Sequence, residues 1–269
     1  MKPRALAPLC CALAASACAL PVVSANSFLP AGDLNRGDFR ASASLEVGRV
    51  LSSPADFALA GTTSPTPAPA QRYVVDTWIA SDVSFDWAPS DWIVLEAQLK
   101  LSNPIVPFTV DAVGGAFGAR VRLLRRTGDS GFALELGPRW VGVRAEEEVT
   151  QTSGTRAQTD RWTYRSLGAE LPLVCTYRLR PELAFTFAPF VRGYYIRAWH
   201  DVIASDAATV TTRLDWTPVV SGGLGFSVAL DFGRLEISPA FAAELATRAS
   251  ANASRQLLFE PGLAVGYRW

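Results

Sequence analysis

The chain has 269 residues, 49% hydrophobic and 19% charged, with 25 basic residues, 25 acidic residues and a single histidine. So even a balance supplies no basic surface for a nucleic-acid partner and no polybasic patch for a membrane surface. Beyond the N-terminal segment no stretch reaches the roughly 18 apolar residues of a membrane helix, and the length suits one large all-β domain or two smaller ones.

Residues 1–25 read as a signal peptide. Lys2 and Arg4 make the charged start, residues 5–20 are apolar, and Pro21-Val-Val-Ser-Ala25 offers small residues for cleavage. The rival is lipidation at Cys18, whose flank Ala15-Ser-Ala-Cys18 matches a lipoprotein box poorly. Loss of the leader removes Cys10, Cys11 and Cys18, so Cys175 is left without a disulfide partner. Residues 26–36, NSFLPAGDLNR, have no periodicity and are expected to form a flexible lead-in to one domain over 37–269.

From residue 39 onward the pattern is period two, the mark of strands with two unlike faces. The first strand covers 39–47, with Phe39, Ala41, Ala43, Leu45 and Val47 opposed by Arg40, Ser42, Ser44 and Glu46. Residues 51–72 are rich in Ser, Thr, Ala and Pro and read as a long loop. The second strand, 73–87, sets Val83, Phe85 and Trp87 against Asp76, Asp82 and Asp86; residues 88–91 turn the chain, and the third strand returns over 92–101. After an irregular 102–115 comes a fourth strand over 117–124, a turn at 128–131, and a fifth over 132–144, where Pro138 suggests a bulge near Val141. Residues 146–160, EEEVTQTSGTRAQTD, read as a polar loop. The sixth strand covers 167–177, the seventh 183–199, the eighth 214–230 and the ninth 235–245, with turns at 178–182 and 231–234 and loops at 200–211 and 249–256.

The tenth strand, 257–269, alternates Leu257, Phe259, Pro261, Leu263, Val265, Tyr267 and Trp269 with Glu260, Gly262, Ala264, Gly266 and Arg268. It resembles the closing strand of Gram-negative outer-membrane β-barrels, which ends on an aromatic residue that the assembly machinery reads. Tyr267 and Trp269 would then carry the assembly signal. Long connections follow the odd-numbered strands and short ones the even-numbered, as an up-and-down transmembrane barrel with outer loops and periplasmic turns requires. The expected fold is therefore all-β, an antiparallel barrel of about ten strands in the outer membrane, monomeric, with lipid and the assembly machinery as partners.

If the apolar faces meet lipid, the opposite phase lines the lumen. That phase holds Asp76, Asp82, Asp86, Glu96, Lys100, Arg120, Arg122, Glu135, Arg139, Glu170, Arg192, Asp215, Glu236, Glu244, Glu260 and Arg268, with Trp78, Trp92 and Phe190 filling space. Opposite charges in so narrow a barrel are expected to pair, because an unpaired interior charge is costly. The leading expectation is a small or largely closed pore, or a structural membrane protein. One alternative rests on His200 and Asp201, which resemble the His–Asp pair of the omptin proteases; the aspartate pair that family also carries has only Asp111 as a counterpart here. Another is an adhesin or binding protein working through its loops. No cofactor is expected, and no metal, because His200 and Cys175 lie at opposite ends of different strands.

Overall fold

A computed structural model describes residues 29–52, 77–102, 110–153, 156–204, 209–248 and 255–269. Signal peptide, Cys18, Asp76 and most of the 51–72 loop lie outside the described residues, as do the side chains of Trp78, His200 and Asp215. The described chain is a closed antiparallel barrel of ten strands. Its segments are β1 (Phe39–Ser52), β2 (Thr77–Ser90), β3 (Ile93–Ser102), β4 (Val110–Leu124), β5 (Gly131–Leu136), β6 (Arg139–Ser153), β7 (Arg156–Arg180), β8 (Leu183–Ala204), β9 (Val210–Phe232), β10 (Leu235–Arg248) and β11 (Arg255–Arg268). Each pairs with its sequence neighbours, except that β5 and β6 both pair with β4 and β7, and β11 returns to β1 with Tyr267 opposite Ala41 and Leu263 opposite Leu45. At the seam the Phe39 and Trp269 backbones exchange hydrogen bonds of 3.1 and 3.0 Å, and their rings lie 4.9 Å apart.

Segments β5 and β6 are two parts of one barrel strand. The bulge expected near Val141 is absent: Val121 faces Leu136 and Gly118 faces Arg139, three residues apart on both strands, so nothing is inserted. Pro138 lacks an N–H and interrupts the ladder. The Gly137 N–H donates instead to the Pro172 carbonyl at 2.9 Å, and the Pro138 carbonyl accepts from Ala119 at 3.2 Å, so the register carries across.

Two expected loops are strands. Residues 146–153 and 156–160 continue the β6–β7 ladder from Glu146 opposite Thr163 up to Ser153 opposite Arg156. Residues 200–204 and 210–211 likewise extend β8 and β9, with His200 opposite Thr212 and Val202 opposite Val210. The strands β7, β8 and β9 run 25, 22 and 23 residues against 14 for β1 and β10. A tilted strand crosses the hydrocarbon in about 9–11 residues, so β6–β9 project as a ribbon beyond the long-loop rim. Beyond the hydrocarbon a strand no longer needs an apolar face, so polar residues are tolerated there. At the opposite rim β2 runs on to Ser90, and only Asp91 and Trp92 form the turn expected over 88–91. Trp92 sits in that turn, 61% exposed, rather than filling the lumen, because outside the ladder the pleat no longer sets its direction.

The lead-in differs most from expectation. Leu29, Ala31 and Leu34 are fully or almost fully buried, Asp33 is 9% exposed, and all lie within the short-turn end of the barrel. A non-periodic segment packed in this way is not a flexible tether.

Candidate functional site

The site is built by the pleat. Successive residues of a strand alternate in and out, so Arg40, Asp86, Arg120, Glu135, Arg139, Glu170, Arg192, Glu236 and Glu244 are all buried, while Phe85, Phe117, Trp140, Leu171, Val191, Phe241 and Val265 face outward. Phe117 is 64% exposed and Glu236 fully buried. In water this arrangement would bury charge and expose oil; it is favourable only when hydrocarbon surrounds the wall.

The chain is a closed ten-stranded β-barrel with an apolar outer wall and a charged interior, the build of a membrane-spanning barrel. No family model matches it, and no curated protein matches it. Among solved structures it is similar to the outer membrane protease OmpT from Escherichia coli, with a TM-score of 0.46 and 10% identity over 86% of this chain and 97% of that one. It is also similar to the toluene transporter TodX of Pseudomonas putida, at 0.37 and 9% over 96% and 97%. Ail, the attachment invasion locus protein of Yersinia pestis, gives 0.31 and 10% over 87% and 99%. These likenesses concern the barrel fold alone.

Inside the barrel the charges form a belt. It runs from Glu236 through Arg40, Asp86, Arg120, Glu96, Arg139, Glu170 and Arg192 to Glu244, alternating in sign at every step. It begins and ends on β10, having visited β1, β2, β4, β3, β6, β7 and β8 in between. Some links join directly paired residues, such as Glu170 with Arg192 at 2.9 Å. Others step over a strand. Arg192 passes β9 to reach Glu244 at 3.1 Å, and Arg139 passes β4 to lie 3.6 Å from Glu96.

Gly118 permits that last step. It is the β4 residue paired with both Glu96 and Arg139, and a Cβ there would stand 2.4 Å from the Arg139 Cβ and 2.4 Å from the Pro138 carbonyl oxygen.

A branch of the belt joins Arg120 to Glu135 at 3.5 Å and Glu135 to Arg122 at 3.0 Å. Further toward the long loops, Lys100 lies 3.4 Å from Asp82 and 3.7 Å from Glu46. Two cavities beside the belt, one lined by Gln98, Lys100, Gly115 and Arg139 and the other by Ser84, Asp86, Glu96 and Arg139, measure about 10 Å³ each. That is the threshold for a single water. A larger depression of about 780 Å³ is lined by outward apolar side chains, among them Phe117, Trp140, Leu171, Val191 and Val220, and borders Arg139, Glu170 and Arg192 of the belt.

Of the residues assigned to the lumen from sequence, Asp82, Asp86, Lys100, Arg120, Arg122, Glu135, Arg139, Glu170, Arg192, Glu236, Glu244 and Glu260 are buried, and Glu96 and Arg268 are half-buried. Glu260 stands apart: it is 4% exposed, and neither carboxylate oxygen has a hydrogen-bond partner among the described residues. Arg40 and Glu46, both on the inner phase of β1, belong to the set and were legible from the alternation. Asp33, Arg178 and Asp231 also belong to it, but they sat in stretches read as lead-in or turn. Arg178 binds Asp33 and Asp231, Arg268 binds Asp231, and Arg126 lies 3.2 Å from Asp33. The carboxylates of Asp33, Asp231 and Glu236 gather within 4.8 Å. Arg178, Arg126, Arg268 and Arg40 already face them, which leaves little net charge to attract a metal ion.

His200 and Asp201 are consecutive residues within β8, not loop residues. The Asp201 carboxylate accepts a hydrogen bond from the Thr211 hydroxyl at 2.7 Å across to β9. Asp111 lies in β4 opposite Glu146. Tyr267 and Trp269 face outward with their rings 5.4 Å apart.

Proposed function

We propose that this protein is a structural outer-membrane barrel whose lumen is closed at rest, not an open diffusion pore. The observation that carries the reading is the alternating belt from Glu236 to Glu244, whose buried, paired side chains cross the lumen and border two gaps of about 10 Å³ among the described residues. A hydrated ion or sugar entering there would have to separate several buried ion pairs. Each separation leaves an uncompensated charge in a poorly solvated interior.

The protein works as a monomer in this reading, since each strand finds both neighbours within the chain. Assembly proceeds through the C-terminal strand, a role supported by the outward exposure of Tyr267 and Trp269. A second reading, contact with a partner at the cell surface, is favoured by one observation. The 22–25-residue strands β7–β9 carry an ordered ribbon well past the membrane. The omptin-like alternative gains nothing comparable, because Asp201 is engaged by Thr211. Liposome swelling tests the main reading: vesicles carrying the refolded protein should swell in small sugars no faster than empty ones, and swelling at porin-like rates would refute closure.

A further inference from the structure

We propose that the short-turn mouth of the barrel is a peptide-binding site, and that residues 29–34 are the ligand it holds in cis. The wall is shaped for an insert. Inward positions around this segment are repeatedly alanine, among them Ala88, Ala133, Ala188, Ala240, Ala242 and Ala264, interspersed with charged residues such as Arg122, Glu135 and Arg178. A barrel packed by its own wall would place larger side chains there; small ones leave room that only another chain segment fills.

Leu29 lodges against Ala240 and Ala264, Ala31 against Ala133 and Phe190, and Leu34 against Ala88 and Val94. The backbone is held too. The Ala31 N–H donates to the Thr176 hydroxyl oxygen at 2.8 Å, the Gly32 N–H donates to the Glu135 carboxylate at 2.9 Å, and the Leu34 carbonyl accepts from Arg122.

Two positions give the site its selectivity. Gly32 has φ +74°, and a Cβ on it would stand 2.7 Å from the Ala133 Cβ, so only glycine fits without strain. Asp33 is clamped by Arg178 and Arg126, a pair of charge-assisted contacts that a neutral side chain cannot replace. The ligand class is thus a short peptide reading small–Gly–Asp–apolar that turns at its glycine, recognised through its backbone and one carboxylate. This site touches the belt only at its Glu135–Arg122 branch and goes beyond the closed-lumen reading.

The test uses the chain of residues 26–269, refolded in detergent, and a variant lacking 26–34. A labelled synthetic peptide of residues 26–36 should bind the folded variant saturably and the intact chain not at all. Peptides carrying Gly32→Val or Asp33→Ala should bind about tenfold weaker or worse, the effect of losing a charge-assisted contact. Absence of saturable binding to the folded variant, or binding indifferent to both changes, would overturn the proposal.

Should the shortened variant not refold, the intact chain carries the test through Ala31→Cys in a Cys175→Ser background. That thiol should resist a water-soluble maleimide that labels Asn35→Cys quickly, and Asp33→Ala should remove the protection. Equal labelling of the two cysteines would overturn the proposal. Conductance by the intact chain would defeat the closed-lumen reading and leave these outcomes unaffected.

Discussion

Arg120 of β4 reaches past β3 to lie 2.7 Å from Asp86 of β2. The same guanidinium lies 3.3 Å from Glu96 and 3.5 Å from Glu135, so one side chain ties three strands besides its own. Replacing it with methionine keeps most of the volume and removes the charge, which leaves the buried Asp86 and Glu135 and the half-buried Glu96 short of a partner. Breaking a buried pair from one side costs about 3–5 kcal/mol. Arg120→Met should therefore unfold at markedly lower urea than the wild type, followed by tryptophan fluorescence in lipid vesicles. An unchanged midpoint would mean that the belt contributes nothing to stability.

Glu260 gives the opposite expectation. Its carboxylate is buried without a hydrogen-bond partner among the described residues, although Lys100 and Arg192 lie in the same interior. Leaving a buried polar group unsatisfied costs about 1–3 kcal/mol, more when it is charged. Glu260→Leu, which removes the polar group at similar length, should raise the unfolding midpoint. A fall comparable to that of Arg120→Met would show that Glu260 has a partner of real consequence.

Gly118 tests the geometry of the belt. A side chain there collides with Arg139 and the Pro138 carbonyl oxygen and separates Arg139 from Glu96. Gly118→Val should destabilise the barrel by about 1–3 kcal/mol, the usual range for overpacking, whereas the exposed Gly128→Ala should fall short of that loss despite its positive φ. Urea unfolding of the two variants side by side makes the comparison.

The inside-out wall predicts chemical labelling. In a Cys175→Ser background, cysteine at Leu99, whose side chain faces outward, should react with a lipid-phase probe, and cysteine at the neighbouring Gln98 should not. The reverse pattern would invert the wall and make the protein a water-soluble sandwich or barrel.

How much of this was legible follows from what surrounds each stretch. Where hydrocarbon lies on one side and the packed lumen on the other, as at 82–87 and 93–100, the two faces differ sharply, and the alternation placed Asp86, Glu96 and Arg120 on the inner phase. Past the rim, at 146–153, 156–160, 200–204 and 210–211, the ladder runs beyond the length that hydrocarbon can cover. The contrast vanishes there, and ladder residues such as Glu146 and Asp201 look like loop. Residues 29–34 have no period because they belong to no strand; their fixed structure comes from alanines and arginines up to 145 positions away. The pairing of Arg139 with Glu96 was hidden for a different reason. It depends on register across three strands and on a glycine between them, and no local pattern in either strand records that.

The belt makes one claim above the others: that paired side chains close the lumen. Planar-bilayer recording of the refolded chain, residues 26–269, tests it most directly. The account predicts a silent bilayer from protein that still migrates as a folded band until boiled. Reproducible, voltage-independent current steps from the same preparation would show a continuous water path past Arg120 and Asp86, and would contradict it.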